Sequence, residues 1–134
     1  MIPFIKQKFI FREDLINNPQ TLYVFGDNIN RVGLGGQAKE MRGEPNAVGI
    51  ATKVRPGEGP EDFFHDYYTT HWEWVKADLA ELERLLKTGQ YHSVVLPADG
   101  LGTGLARLNE TAPKLYDFLN AGLEALQCHF MKQS

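Results

Sequence analysis

A single cysteine, Cys128, is all that this chain of 134 residues has of that type, and the scarcity excludes a good deal. No disulfide framework forms within it and no cysteine set holds zinc, so a reducing, cytoplasmic setting is the expectation. The four histidines are as scattered. His65 and His71 stand six apart, off the i, i+4 spacing of helical metal ligands, while His92 opens a strand and His129 lies near the end. One of the first pair is expected packed and the other solvated, and no metal or resident cofactor is implied. No stretch approaches the ~20 apolar residues of a membrane span. The opening MIPFIKQKFIFRED is interrupted by Lys6, Lys8 and Arg12 with no small-residue cleavage site after it, so neither membrane association nor a signal peptide is expected.

A dominant charge is also missing. Lysine and arginine total 14 against 17 aspartates and glutamates, a net charge of -3, which disfavours a generic duplex-binding surface. There is no internal repeat, low-complexity tract or linker, so residues 1–134 read as one domain. With 43% hydrophobic and 23% charged residues it has an ordinary composition, and a chain of this length buries roughly two-thirds of its unfolded surface.

The elements are readable along the chain. PFIKQKFIF alternates in part and suggests an opening strand, and DLINNPQ a helical turn ended by Asn-Pro. TLYVF, 21 to 25, is β-branched and aromatic and bounded by Gly26, which predicts a buried strand. QAKEMRG predicts a short helix stopped at Gly43, and NAVGIATK, 46 to 53, a second buried strand. VRPGEGPED is a loop whose nearby acids, Glu44, Glu58, Glu61 and Asp62, read as a solvated mobile lid. From about Asp62, Phe64, Tyr67, His71, Trp74, Leu82 and Leu85 recur at helical spacing, predicting one long helix with a break near Thr69-Thr70 and a stop at Gly89. HSVVLP, 92 to 97, predicts a third core strand, and Asn109 or Thr111 is expected to cap a last helix with Pro113 in its first turn. CHFMK reads as a short edge strand or a frayed tail. Strands alternating with helices imply an α/β layered domain with parallel or mixed central strands.

Two of the three core strands run into glycine-rich loops, GDNINRVGLGGQAKE and DGLGTGLARLNE. If the strands are neighbours, the loops face each other across a cleft outside the strand ends, where open α/β sheets bind ligands. Such loops suit diphosphate, because glycine lets successive N–H groups converge on phosphate oxygens and a following helix adds its positive end. Neither loop has the Lys-Ser/Thr of a P-loop, and GDNINRVG does not fit G-x-G-x-x-G.

PADGLGTGLARL resembles the second ligand loop of macrodomains, the ADP-ribose-binding modules, in which a strand ending in proline runs into a G-x-G-L loop around the distal ribose and phosphates. FGDN resembles their strand-end Gly-Asp, whose aspartate accepts a hydrogen bond from the adenine amino group, and VGLGGQAKEM their first glycine loop. The order of parts agrees over about residues 20 to 126. The resemblance implies a three-layer α/β/α domain with a central mixed sheet. It implies ADP-ribose or a related NAD-derived nucleotide as ligand, held by Asp27, Asn28, Asn30, Gly33, Gly35, Gly36, Gly100, Gly102, Thr103, Gly104 and Leu105, and an ADP-ribosylated protein or nucleic acid as partner.

Within macrodomains the chain is most similar to the divergent branch that includes the terminal ADP-ribose protein glycohydrolase. That branch carries a strand ending in Thr-Lys, whose lysine attacks the distal ribose, and an aspartate after the G-x-G-L loop as acid/base. IATK puts Lys53 at the lysine position, but Ala106 stands where the aspartate is expected, and a methyl group moves no proton. Asp99 in the same loop is the candidate substitute, with an Asx-turn as its alternative use. Other macrodomains hold a hydrolytic water on an asparagine, a role for which Asn28 and Asn30 qualify by position, with a turn out of the strand as the alternative. Arg55 adds a second cation beside Lys53, and Arg31 reads as a phosphate contact or a solvated charge. DYYTTHWEW reads as core, with one edge ring, Tyr67 or Tyr68, flanking the ligand. The readings in play are thus an ADP-ribosyl hydrolase, a non-catalytic reader, and a Rossmann-like nucleotide sensor.

Overall fold

The computed structural model describes residues 1–132. Four strands, β1 (Phe4–Gln7), β2 (Thr21–Asn28), β3 (Ala47–Lys53) and β4 (Ser93–Pro97), form one sheet in the order β1-β4-β2-β3. Five helices connect and follow them: α1 (Arg12–Asn17), α2 (Ala38–Met41), α3 (Thr69–Lys87), α4 (Leu108–Thr111) and α5 (Pro113–Lys132). Every strand pairing in the sheet is parallel, so the mixed sheet expected from the sequence gives way to a uniform one. The reason is that each crossover carries at least one helix and returns the chain to the same end of the sheet. Among the described residues antiparallel pairing is confined to an isolated bridge between Lys53 and Phe63.

Side-chain alternation sorts the two faces. Leu22 and Val24 on β2, with Ile50 on β3 and Val94 and Leu96 on β4, meet Val75, Leu82 and Leu86 of α3 and Leu115, Leu119 and Leu123 of α5. Tyr23, Phe25 and Val95 point the other way onto Leu15 of α1 and Ala38 and Met41 of α2. The strands are therefore apolar on both faces, which is why TLYVF reads as a continuous hydrophobic run. Full burial of each such side chain is worth about 1.5–3 kcal/mol. The layers are helix, sheet, helix, with the larger core under α3 and α5.

Several expectations shift locally. The long helix begins at Thr69 rather than near Asp62, because residues before it are used elsewhere. A 3₁₀ turn spans Pro60–Asp62, Phe63 and Phe64 are buried, and the Asp66 carboxylate accepts from Lys114 N and Leu115 N at 3.2 and 2.9 Å. Asp66 is thus the N-terminal cap of α5, in place of Asn109 or Thr111; the Thr111 hydroxyl donates back to the Arg107 carbonyl instead. The CHFMK segment is helical, and it is held by burial of Phe130 and by Ile2 N donating to the Phe130 carbonyl. Asp62, expected in a solvated lid, is buried and binds Arg55 at 2.9 Å and Gly59 N at 3.0 Å. His71 is buried and accepts from His65 N on Nδ1, and burial lowers its pKa below the ordinary 6.5.

The free edge of β3 is covered by side chains. Asp78 of α3 accepts from Ala51 N at 2.7 Å, and Arg31 binds Asp78 through both oxygens and reaches the Gly49 carbonyl at 3.5 Å. Arg31 is therefore committed to this edge rather than to a ligand.

Candidate functional site

From β2 the chain leaves through the first glycine loop to α2 on one face of the sheet, while from the adjacent β4 it leaves through the second loop toward α4 and α5 on the other. Neighbouring strands whose connections part to opposite faces open a crevice at their carboxyl ends. A cleft enclosing about 180 Å³ lies there. Gly26, Asp27, Asn28, Thr52 and Gly102 line it together with Val32, Gly33, residues 35 to 38 and residues 104 to 106, and Lys53 and Pro56 also border it. A side chain of the second loop also reaches the first: a Cβ on Gly35 would stand 3.1 Å from Leu105 Cδ1.

Gln37 ties the loops together from beneath. Its Oε1 accepts from Gly26 N at 2.7 Å, and its Nε2 donates to the Gly100 carbonyl at 3.2 Å. With these ties in place the loop amides are left over. Among the described residues, the backbone N–H groups of Gly33 through Gln37, and those of Leu101 through Ala106, donate to no protein acceptor. Backbone donors left free on two facing loops are suited to an anion with many oxygens. The helices after the loops add little, because α2 and α4 have four residues each, too short for the aligned dipole first expected.

Asp27 is the most constrained group at the site. Its side chain is 3% exposed, and Arg42 holds it by Nη2 to Oδ1 at 2.5 Å and Nη1 to Oδ2 at 3.2 Å. Asn28 N donates to Oδ1 at 2.8 Å and Arg31 lies 3.6 Å from Oδ2. Room for the carboxylate exists because residue 49 is glycine; a Cβ there would stand 2.6 Å from Oδ2. The Arg42 guanidinium also donates to the carbonyls of Gly33 at 2.8 Å and Val32 at 3.2 Å, so it pins the start of the first loop. Three hydrogen bonds fill most of the roughly four acceptor sites of a carboxylate, and with 3% of the side chain exposed little of it is open to a base amino group.

Asn28 lines the cleft with one atom unused. Its Nδ2 donates to the Val32 carbonyl at 2.8 Å, which fixes the amide orientation and leaves Oδ1 buried with no hydrogen-bond partner. Lys53 lines the cleft as well; its Nζ donates to the Gly57 carbonyl and lies 4.6 Å from the Phe63 ring centre. Arg107 covers the same ring, its Cζ at 4.5 Å. Arg55 pairs with Asp62 instead.

Of the residues singled out from the sequence, the cleft brings together Asp27, Asn28, Gly33, Gly35, Gly36, Lys53, Gly102, Gly104 and Leu105, with Ala106 beside them. Four others lie off it. Asn30 and Asp99 are exposed, and Asp99 uses its backbone carbonyl to accept from Thr103 Oγ1 at 2.8 Å, which also turns Thr103 away. Its carboxylate makes no Asx-turn bond among the described residues. Gly100 faces a second, smaller cavity against α5. Tyr67 and Tyr68 are exposed; Tyr67 stacks on His65 and Tyr68 meets it edge-on, and neither lines the cleft. Sequence reasoning missed Arg42, Gln37 and Thr52, polar residues inside or beside apolar runs whose partners are distant in sequence.

No curated protein and no solved structure matches the chain. A family model does match, over residues 5–122, which takes in both glycine loops and every strand from Ile5 onward. The chain belongs to that family, a family of unknown function designated DUF7831.

Proposed function

We propose that this protein binds ADP-ribose or a related NAD-derived nucleotide, on a macrodomain-like domain, with the diphosphate held between the two glycine loops. The observation that carries the reading is the pair of amide runs, Gly33 to Gln37 and Leu101 to Ala106, left without acceptors across one cleft. Lys53 puts positive charge at the same cleft, while the charge of Arg42 is offset by Asp27. Binding is the better supported activity, because Ala106 lies in the cleft wall where the resemblance places an acid/base and Asp99 lies outside it.

Calorimetric titration with ADP-ribose tests this, and saturable binding is expected. Gly104→Val is the matched control: the glycine lines the cleft, nothing stands within 4 Å of its Cβ position and its φ is not positive, so added bulk blocks the ligand without straining the fold. No binding at millimolar ADP-ribose, or undiminished binding by Gly104→Val, would count against the reading.

Hydrolysis of an ADP-ribosyl linkage is a second reading, favoured by Lys53 in the cleft. It requires Lys53→Ala to abolish ADP-ribose release from a modified protein or nucleic acid while leaving binding intact. Equal background release by both proteins leaves binding alone.

A further inference from the structure

β4 has a second neighbour, β1, and their connections also part. From β1 the chain leaves to α1 on one face of the sheet, and from β4 to α4 and α5 on the other. Such a parting opens a crevice at the carboxyl ends of the two strands. A second cavity, of about 130 Å³, lies there, bordered by Lys6, Pro97 and Ala98 on the sheet side and by α5. It shares no lining residue with the first cleft, so it stands apart from the binding reading above.

Its lining departs from an ordinary helix-on-sheet contact. Lys6 pairs in register with Leu96, which belongs to the core under α5, so both stand on the α5 face. From the helix come Asn120, Leu123, Glu124 and Gln127, which follow the i, i+3, i+4, i+7 spacing of one helical face. A face turned to a sheet is ordinarily apolar, as Leu115 and Leu119 are one or two turns before Leu123. Here three of the four positions are polar. Among the described residues, the side chains of Lys6, Asn120, Glu124 and Gln127 make no hydrogen bond or ion pair, with one another or with any other group. Leu96, Leu101 and Leu123, each at most 7% exposed, supply the apolar part of the lining.

We propose that this cavity is a binding site for a small zwitterion, an aliphatic amino acid, with Lys6 taking the carboxylate, Glu124 the ammonium group and the leucines the side chain. The charges decide the class. An anion gains from Lys6 and loses to Glu124, a cation the reverse, and an uncharged molecule gains from neither. A molecule of both signs satisfies both, and the amides of Asn120 and Gln127 offer it donors and acceptors. Both charged side chains are exposed and unpaired, so no ion pair has to break when they close on it.

The test is an amide NMR titration of the protein with L-valine and with the two molecules left when one charge is deleted, isovalerate and isobutylamine. Saturable shifts at Ala98, Gly100 and Leu101 and along residues 120 to 127 are expected at millimolar L-valine. Isovalerate and isobutylamine should each bind at least about fivefold more weakly, since each forfeits a charge-assisted hydrogen bond. No saturable shift with L-valine, equal binding of either singly charged molecule, or shifts confined to the first cleft overturns the proposal. Glu124→Gln and Lys6→Gln separate the two roles, and neither removes a hydrogen bond or ion pair of the fold. Glu124→Gln is expected to weaken L-valine to the level of isovalerate without weakening isovalerate, and Lys6→Gln to bring L-valine to the level of isobutylamine. If either variant binds L-valine as the wild type does, or weakens all three molecules equally, the assignment of charges is refuted.

Discussion

Replacing Arg42 by alanine tests how far the site is held by one buried ion pair. Asp27 is almost wholly enclosed, at 3% side-chain exposure, and Arg42 at 21% is largely so. Removing one partner of a buried pair typically costs about 3–5 kcal/mol, since the other charge is left without compensation. Arg31 at 3.6 Å and the Asn28 amide remain beside Asp27, which places the expected loss near the lower end, about 3 kcal/mol. Urea unfolding followed by circular dichroism should show the midpoint falling with the slope unchanged. The diagnostic comparison is Arg42→Ala with Asp27→Ala in the same chain. Once the stranded carboxylate is gone as well, the double variant should be more stable than Arg42→Ala alone. A loss below about 1 kcal/mol for Arg42→Ala, or a double variant less stable than the single, would refute the picture of a buried charge dependent on its partner.

Other outcomes follow from named contacts. Gly102→Ala should destabilise by about 1–3 kcal/mol, because φ is +80° and the new Cβ would sit 2.8 Å from Leu108 Cβ, whereas Gly104→Ala in the same loop should change the unfolding midpoint by almost nothing. Asp66→Ala should cost about 1–2 kcal/mol by uncapping α5, and Asp66→Asn less; equal melting of wild type and Asp66→Ala would remove the capping role. Burial lowers the His71 pKa from 6.5, so the fold keeps the neutral ring while the unfolded chain takes up a proton first. The stability it contributes is complete above about pH 6.5 and lost as pH falls through the lower folded value; His71→Asn, measured by urea midpoints between pH 5 and 7.5, should show a shallower decline.

The β2, β3 and β4 strands were legible because a strand buried on both faces has to be apolar at every position, and TLYVF, VGIAT and SVVLP satisfy that locally. The cleft was legible for a similar reason: glycines concentrated after two strands mark where the backbone turns sharply. The start of α3 was not, because the periodic run from Phe64 onward cannot show that Asp66 serves a helix 48 residues later. Asp27 is the instructive residue. Its position was readable from FGDN, but its occupation by Arg42, fifteen residues on, was not. A single arginine after KEM carries no local mark of its partner, and so the sequence does not single out the charge that holds the site.

The covered edge of β3 limits how this protein can polymerise. Open-ended growth by strand addition needs two available sheet edges per molecule, one to donate and one to receive. Asp78 and Arg31 occupy one of them by hydrogen-bonding Ala51 N and the Gly49 carbonyl, and β1, four residues long, is the other. Native copies that meet edge to edge therefore have β1 alone to offer, and such a contact closes on itself at two molecules instead of propagating into a fibre.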